Sequence, residues 1–381
     1  MQPKSRSSRA LFLALGGLGL TLSSASVLAD DYGRGENSGG AVYTMSNDTF
    51  ANAVLIFQRA ANGALTPAGS VQTGGRGTGA GLGDQGGLIL SDDHRWLIAV
   101  NAASNDVSVF AVHSSGIVKV AQSPSGGAQP ISVTIDDDLV YVLNAGSDAI
   151  SGFRLSDNGE LVALSGSSRP LSGKGVGPAE IKFSPGGRSL LVSEKATNKL
   201  TVYAVGPDGL PASAPREVTS SGKTPFGFDF AGRRTLVVSE AVGGAPNAST
   251  VSSYRVGRDG ATTLVSASVP DLQTAACWIA TTPDGRYAYT TNTGSGSVSG
   301  YSVNASGQLA PLNANGVTAN TGAGSGPIDM AVAGEERGRF LYVLEAKTHA
   351  IGAFLIGRDG SLTPGPVLSG LPASAVGLAA L

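Results

Sequence analysis

The chain has one cysteine, three histidines and three methionines among 381 residues, and only 14% of its residues are charged. A single thiol, Cys277, excludes an intramolecular disulfide, so stability has to come from packing and strand pairing. After the N-terminus no stretch carries a helical period, which excludes a helix bundle or an alternating α/β fold. Nothing in a formal charge of −2 points to a nucleic-acid surface.

What is abundant is glycine, 55 residues, and it recurs in order. A polar residue followed by Gly returns at Asn62-Gly63, Ser115-Gly116, Asn158-Gly159, Asp208-Gly209, Asp259-Gly260, Ser306-Gly307 and Asp359-Gly360. Successive glycines lie 53, 43, 50, 51, 47 and 53 residues apart, the period of a repeat protein. The fourth repeat is the clearest. Residues 180–184 and 189–193 flank the turn Pro185-Gly186-Gly187-Arg188, an alternating run covers 199–205, and a weaker segment lies near 216–219. β-Branched and aromatic runs punctuated by Gly, Pro, Asn and Asp are strand and hairpin signals.

Four strands per unit in seven units predict an all-β, seven-bladed β-propeller, a single domain over residues 41–381. The first repeat starts at a second-strand phrase, residues 41–45, and the last is followed by an unpaired first-strand phrase, residues 374–378. One incomplete end completes the other, so the C-terminal strand is expected to join the N-terminal blade and close the ring.

Ahead of the ring, Lys4, Arg6 and Arg9 precede an apolar stretch, 10–22, and a small-residue run ending at Ala29. That order predicts a signal peptide over 1–29, a flexible leader over 30–40, and a secreted or periplasmic mature protein of formal charge −5 with no membrane span after cleavage.

In a propeller, the loops entering first strands and leaving second strands open on one face, around the channel. Repeat alignment puts Gly87, Ser132, Glu180, Gly227, Trp278, Asp329 and Ser374 at first-strand starts, and Ser46, Asn101, Asn144, Glu194, Glu240, Asn292 and Glu345 at second-strand ends. The expected ligand site at this mouth is therefore Glu180, Glu194, Lys195, Glu240, Trp278, Asn292, Asp329 and Glu345, with Lys347 nearby. Trp278 would be an apolar wall and Asn292 a polar orienting group. Crowded carboxylates can act as an acid and base pair, hold calcium or magnesium through Glu180, Glu194, Glu240 and Glu345, or simply pair and hydrate. A small molecule or a protein is the expected partner. His349 is the only histidine expected near this face, and Cys277 beside Trp278 reads as a small buried hydrophobe.

Thr282-Pro283-Asp284-Gly285-Arg286-Tyr287, Ser184-Pro185-Gly186-Gly187-Arg188 and Gly326-Pro327-Ile328-Asp329, with the recurring Asp-Gly turns, resemble the lactonase-type seven-bladed propellers, similar to 6-phosphogluconolactonase and carboxymuconate cyclase. The resemblance spans about residues 41–381. It implies a hydrolase or cycloisomerase acting on a lactone or ring-closed acid, and a Gly-Pro-Arg-His phrase at a first-strand start. The matching positions read Gly177-Pro178-Ala179-Glu180 and Gly326-Pro327-Ile328-Asp329, without Arg or His, so a phosphosugar would meet an acidic mouth. A non-catalytic binding propeller is the alternative. The glycine-rich segment 74–87 matches a dinucleotide fingerprint in letters only, because a strand follows it; its position predicts a lid on the ligand face, carrying Arg76 and Asp84.

Overall fold

The apolar runs between the glycine turns become strands, joined into seven sheets in the computed structural model, which describes residues 39–334 and 340–381. The expected signal peptide and all but the last two leader residues lie outside the described residues. In the fourth blade Pro178–Phe183, Ser189–Glu194, Lys199–Ala204 and Arg216–Thr219 pair antiparallel in chain order. The two middle strands are buried nearly throughout because blades cover both of their faces. In the third and sixth blades the outermost strand is broken in two, Leu161–Ala163 with Arg169–Pro170 and Leu309–Pro311 with Ala319–Asn320. Among the described residues the only helical pieces are two 3-10 turns, Ala145–Ser147 and Val242–Gly244, and no helix is long and apolar enough to cross a membrane.

The ring closes as expected. Val376–Ala380 is the innermost strand of the first blade and pairs antiparallel with Ala41–Met45. The strand begins two residues later than its sequence suggests. Ser374 sits in the preceding turn, where its hydroxyl donates to the Ser46 carbonyl at 2.7 Å.

The recurring polar-Gly pair has a packing cause. Gly63 and Gly209 both take a φ of 83°, which L side chains rarely adopt, and each lies flat against another blade. A Cβ at Gly63 would meet the Phe340 ring at 2.6 Å, and one at Gly209 would meet Leu139 at 3.1 Å. Their carbonyls are used as well. Tyr342 donates to the Gly63 carbonyl at 2.9 Å and Tyr141 to that of Gly209 at 2.7 Å. The period visible in the sequence is therefore the period of blade-to-blade docking. Apolar contacts fill the same seams, as where Leu191 and Val202 of the fourth blade meet Leu236 and Tyr254 of the fifth. Cys277 is buried in such a seam, and burial pushes its thiol up to about 11, the behaviour of an inert hydrophobe.

Candidate functional site

The innermost strands kink at equivalent places. Register shifts fall between Pro130 and Ser132, Pro178 and Glu180, Pro225 and Phe228, Ala276 and Ile279, and Ile328 and Met330. A bulge of this kind re-aims one side chain. Ser132, Glu180, Gly227, Trp278 and Asp329 occupy the re-aimed position, and Gly377, rather than Ser374, continues the series. These side chains reach toward the next blade's first strand: Ser132 Oγ accepts the Ile181 amide at 3.1 Å and Glu180 Oε2 the Phe228 amide at 2.6 Å. Asp329 accepts from its neighbour Met330 at 2.9 Å and from the Leu378 amide of the first blade.

Gly227 has no side chain to offer, and the glycine-rich segment fills its place. Gln85 Oε1 accepts the Ile279 amide at 2.9 Å, Gln85 Nε2 donates to the Ile279 carbonyl at 2.7 Å, and the Gln85 amide donates to the Ala179 carbonyl at 3.0 Å. A Cβ at Gly227 would overlap Gln85 Oε1 and stand 2.7 Å from the Cys277 carbonyl. The segment therefore runs from between the first two blades to the inner strands of the fourth and sixth, and plugs the channel. Asp84, expected on a lid with Arg76, is instead buried in the plug, while Arg76 is exposed.

Above the plug lies the one part of the expected mouth that converges. Lys195 Nζ, half-buried, donates to the Gly83 carbonyl at 2.5 Å and sits 4.9 Å over the Phe226 ring. Phe226 packs on Trp278 with ring centroids 4.8 Å apart, and Trp278 Nε1 is buried without an acceptor. Burial lowers the Lys195 ammonium from its usual value, opposed by Asp84 and Cys277. Burial raises Asp84 well above the usual carboxylate range, Asp329 adds to the rise, and Lys195 opposes it. Burial likewise lifts Asp329 to about 7, and lifts Glu180 against the pull of Lys182. The result is a mouth with a cation, a spare N–H donor and buried carboxyl groups whose proton affinity is raised by burial. Phe226 and Gln85 carry no mark in the repeat pattern, whereas Asp84 is expected on the ligand face, as part of a lid. The missing side chain at Gly227 was the available signal for the plug.

The second-strand ends do something else. Glu240 is fully buried and accepts from Ser220 Oγ at 3.0 Å, the Gly222 amide at 2.7 Å, Thr250 Oγ1 at 2.5 Å, Ser252 Oγ at 2.7 Å and Ser268 Oγ at 3.2 Å. Glu194, equally buried, accepts from the Ser172 amide at 3.1 Å, from the Ser172 hydroxyl, from Thr197 at 2.7 Å and from Thr201 at 2.6 Å. Asn292 donates to Ser297 at 3.0 Å and Ser299 at 2.8 Å, and Glu345 accepts from Thr348 at 2.7 Å. Glu194, Glu240 and Asn292 are thus hubs that tie a second strand to neighbouring segments, whereas Glu345 bonds within the loop that follows its own strand. Glu180, Glu194, Glu240 and Glu345 have no hydrogen-bond partner in common. Among the described residues no three His, Cys, Asp or Glu side chains group to hold a metal ion. His349 is exposed.

Because the hubs are internal, Glu240→Gln is expected to destabilise. With the amide oxygen kept on Gly222, the new NH2 group faces the Thr250 and Ser268 hydroxyls, which must turn to accept, and bonds to a carboxylate become weaker bonds to a neutral amide. A loss of about 2 kcal/mol is expected, since hydrogen bonds to a charged group are worth about 1.5–3 kcal/mol against roughly 1 for neutral pairs. Urea unfolding of the variant checks this, and an unchanged midpoint would contradict the hub role.

Comparison with known proteins agrees with this architecture. The sequence profile of the lactonase seven-bladed β-propeller family matches residues 36–170 and 232–331. No protein of curated function matches the chain in sequence. Among solved structures, the periplasmic gluconolactonase of Pseudomonas aeruginosa is 15% identical with a TM-score of 0.70, covering 89% of this chain and 98% of that one. A provisionally assigned 6-phosphogluconolactonase of Bacteroides uniformis is 17% identical with a TM-score of 0.71, covering 89% of this chain and 99% of its own. A protein of Lactobacillus plantarum gives 17% identity and a TM-score of 0.71, with 90% and 99% covered. With the seven-bladed ring, its shared first blade and a profile match over more than half its length, the chain belongs to the lactonase family of seven-bladed β-propellers.

Proposed function

We propose that the protein is an exported hydrolase of uncharged lactones, acting at the plugged channel mouth. The observation that carries this reading is the buried Trp278 Nε1 without an acceptor, packed with Phe226 beneath the Lys195 ammonium. A buried N–H left unpaired costs roughly 1–3 kcal/mol, which a substrate oxygen would relieve. In this reading the lactone carbonyl oxygen takes hydrogen bonds from Trp278 Nε1 and from a free Lys195 proton, since Gly83 uses only one of three. Negative charge developing on that oxygen in the transition state is then stabilised more than the ground state. Asp84, close enough to Lys195 for each to shift the other, is the proton carrier. It removes a proton from the attacking water as the acyl C–O bond of the ring breaks, and returns that proton to the departing ring oxygen. The missing Arg and His at residues 177–180 leave no second cation for a phosphate to pair with, which favours an uncharged lactone.

Hydrolysis of a panel of neutral and phosphorylated lactones, with and without chelator, tests this reading. Turnover of a neutral lactone is expected, falling about 100-fold in kcat/KM for Lys195→Met at unchanged melting temperature. The rate should rise with pH as Asp84 ionises. Lactone binding without turnover would move the assignment to a non-catalytic binding propeller, and equal rates for parent and variant would remove Lys195 from the mechanism.

Export rests on the signal-like order of residues 4–29, and the periplasmic location of the Pseudomonas aeruginosa relative is consistent with it. The mature chain is expected to begin at or near Asp30. N-terminal sequencing of the mature protein reads the junction directly, and material still carrying residues 11–22 would refute cleavage.

A further inference from the structure

The turns that join first and second strands lie on the opposite side of the ring from the mouth, and two of them, with the outer strands beside them, frame a cleft of about 420 Å³ between the fifth and sixth blades. Arg233 and Arg234 enter it from the turn after Pro225–Ala231, Arg286 from the turn before Tyr287–Asn292, and Arg255 from the neighbouring strand Thr250–Val256. Four arginines lining one hollow stand out in a protein of net charge −2. Like charges brought together repel, and proteins normally relieve this with carboxylates. Here that relief is absent among the described residues, where no carboxylate lies within 4.0 Å of any of the four. Asp284, the one carboxylate lining the cleft, accepts from Thr282 Oγ1 at 2.6 Å and the Arg286 amide at 3.1 Å, so it braces its own turn.

Two of the arginines are held in place. Arg255 donates to the Ser306 carbonyl at 2.8 Å, and Arg286 stacks 5.2 Å from the Tyr287 ring centroid while donating to its hydroxyl at 3.2 Å. Each keeps further N–H groups, since a guanidinium carries five donors in a planar fork. Arg233 and Arg234 are exposed at the rim. Fixed and adjustable forks around one concave site suit an oxyanion that offers several oxygens at once.

We propose that this cleft binds a soluble polyanion of the phosphate class, carrying at least two oxyanion groups, at a site separate from the mouth. The volume is that of a small-ligand pocket, large enough for two linked phosphate groups. A single carboxylate would engage one fork and leave the remaining charges facing each other.

Titration calorimetry with inorganic pyrophosphate at low and at physiological salt tests the site. One-to-one binding that weakens with salt is expected, with at least a tenfold loss in Arg233→Gln/Arg286→Gln and no change in Lys195→Met. Arg233→Gln/Arg234→Gln serves as a second variant, because both of its side chains are at the rim and their loss leaves the fold intact. Absence of binding to the parent, binding unchanged in both arginine variants, or binding lost in Lys195→Met would each overturn the assignment. The lactone assay bears only on the mouth, so failure of one site leaves the other standing.

Discussion

Deletion of residues 374–381 is expected to cost the protein about 5 kcal/mol or more and to lower its melting temperature by on the order of 10 °C. The segment is eight residues long, yet it is the innermost strand of a blade. Val376 and Leu378 are each 5% exposed, and burial of such side chains is worth roughly 2 kcal/mol apiece. The strand also carries the ladder to Ala41–Met45, the 2.6 Å bond from Thr44 Oγ1 to the Gly377 carbonyl and the 3.0 Å bond from Arg59 Nε to the Leu381 carbonyl. Net contributions of about 1 kcal/mol per hydrogen bond add to the loss. Without it, Ala41–Met45 becomes a bare edge, so the truncated protein should also aggregate. Differential scanning calorimetry settles the point, and a melting temperature within a degree or two of the parent would refute closure by this strand.

The second large effect is on pH dependence. Asp329 is raised from 3.8 to about 7, chiefly by burial. In the unfolded chain the group loses its proton near pH 4, whereas in the fold it holds the proton until about pH 7. Between those values the native state binds the extra proton, so stability falls as pH rises and the full penalty is present above the folded value. Asp329→Asn imitates the protonated form and keeps an acceptor for the Met330 amide. Its left-handed φ of 47° suits asparagine. The variant is expected to match the parent near pH 4 and to exceed it by on the order of 2–4 kcal/mol at pH 8. Urea unfolding across this range reads the difference; a gap that does not vary with pH would show that the carboxyl does not titrate in this way.

Much of the fold was legible because its determinants are local. Seven polar-Gly pairs, a proline two residues before each of Glu180 and Asp329, and the alternating run at 199–205 are short-range patterns that a blade imposes on any chain forming it. The equivalence of Glu180 and Asp329 followed from register and holds in three dimensions. For Glu194 and Glu240, placement at a strand end said nothing of side-chain direction. The serines and threonines around them lie on other strands and connecting segments, so whether a carboxylate meets water or a ring of hydroxyls depends on packing.

What the sequence by itself determined was the repeat, and with it the blade count, the strand order and the joining of the two ends, since each follows from turn chemistry and alternation within about fifty residues. Only the tertiary structure decided the site. Gln85 meets Ile279 across 194 residues, and Lys195 meets Gly83 across 112. Contacts at such separations leave no periodic trace along the chain, because ring closure, rather than local preference, brings those residues together.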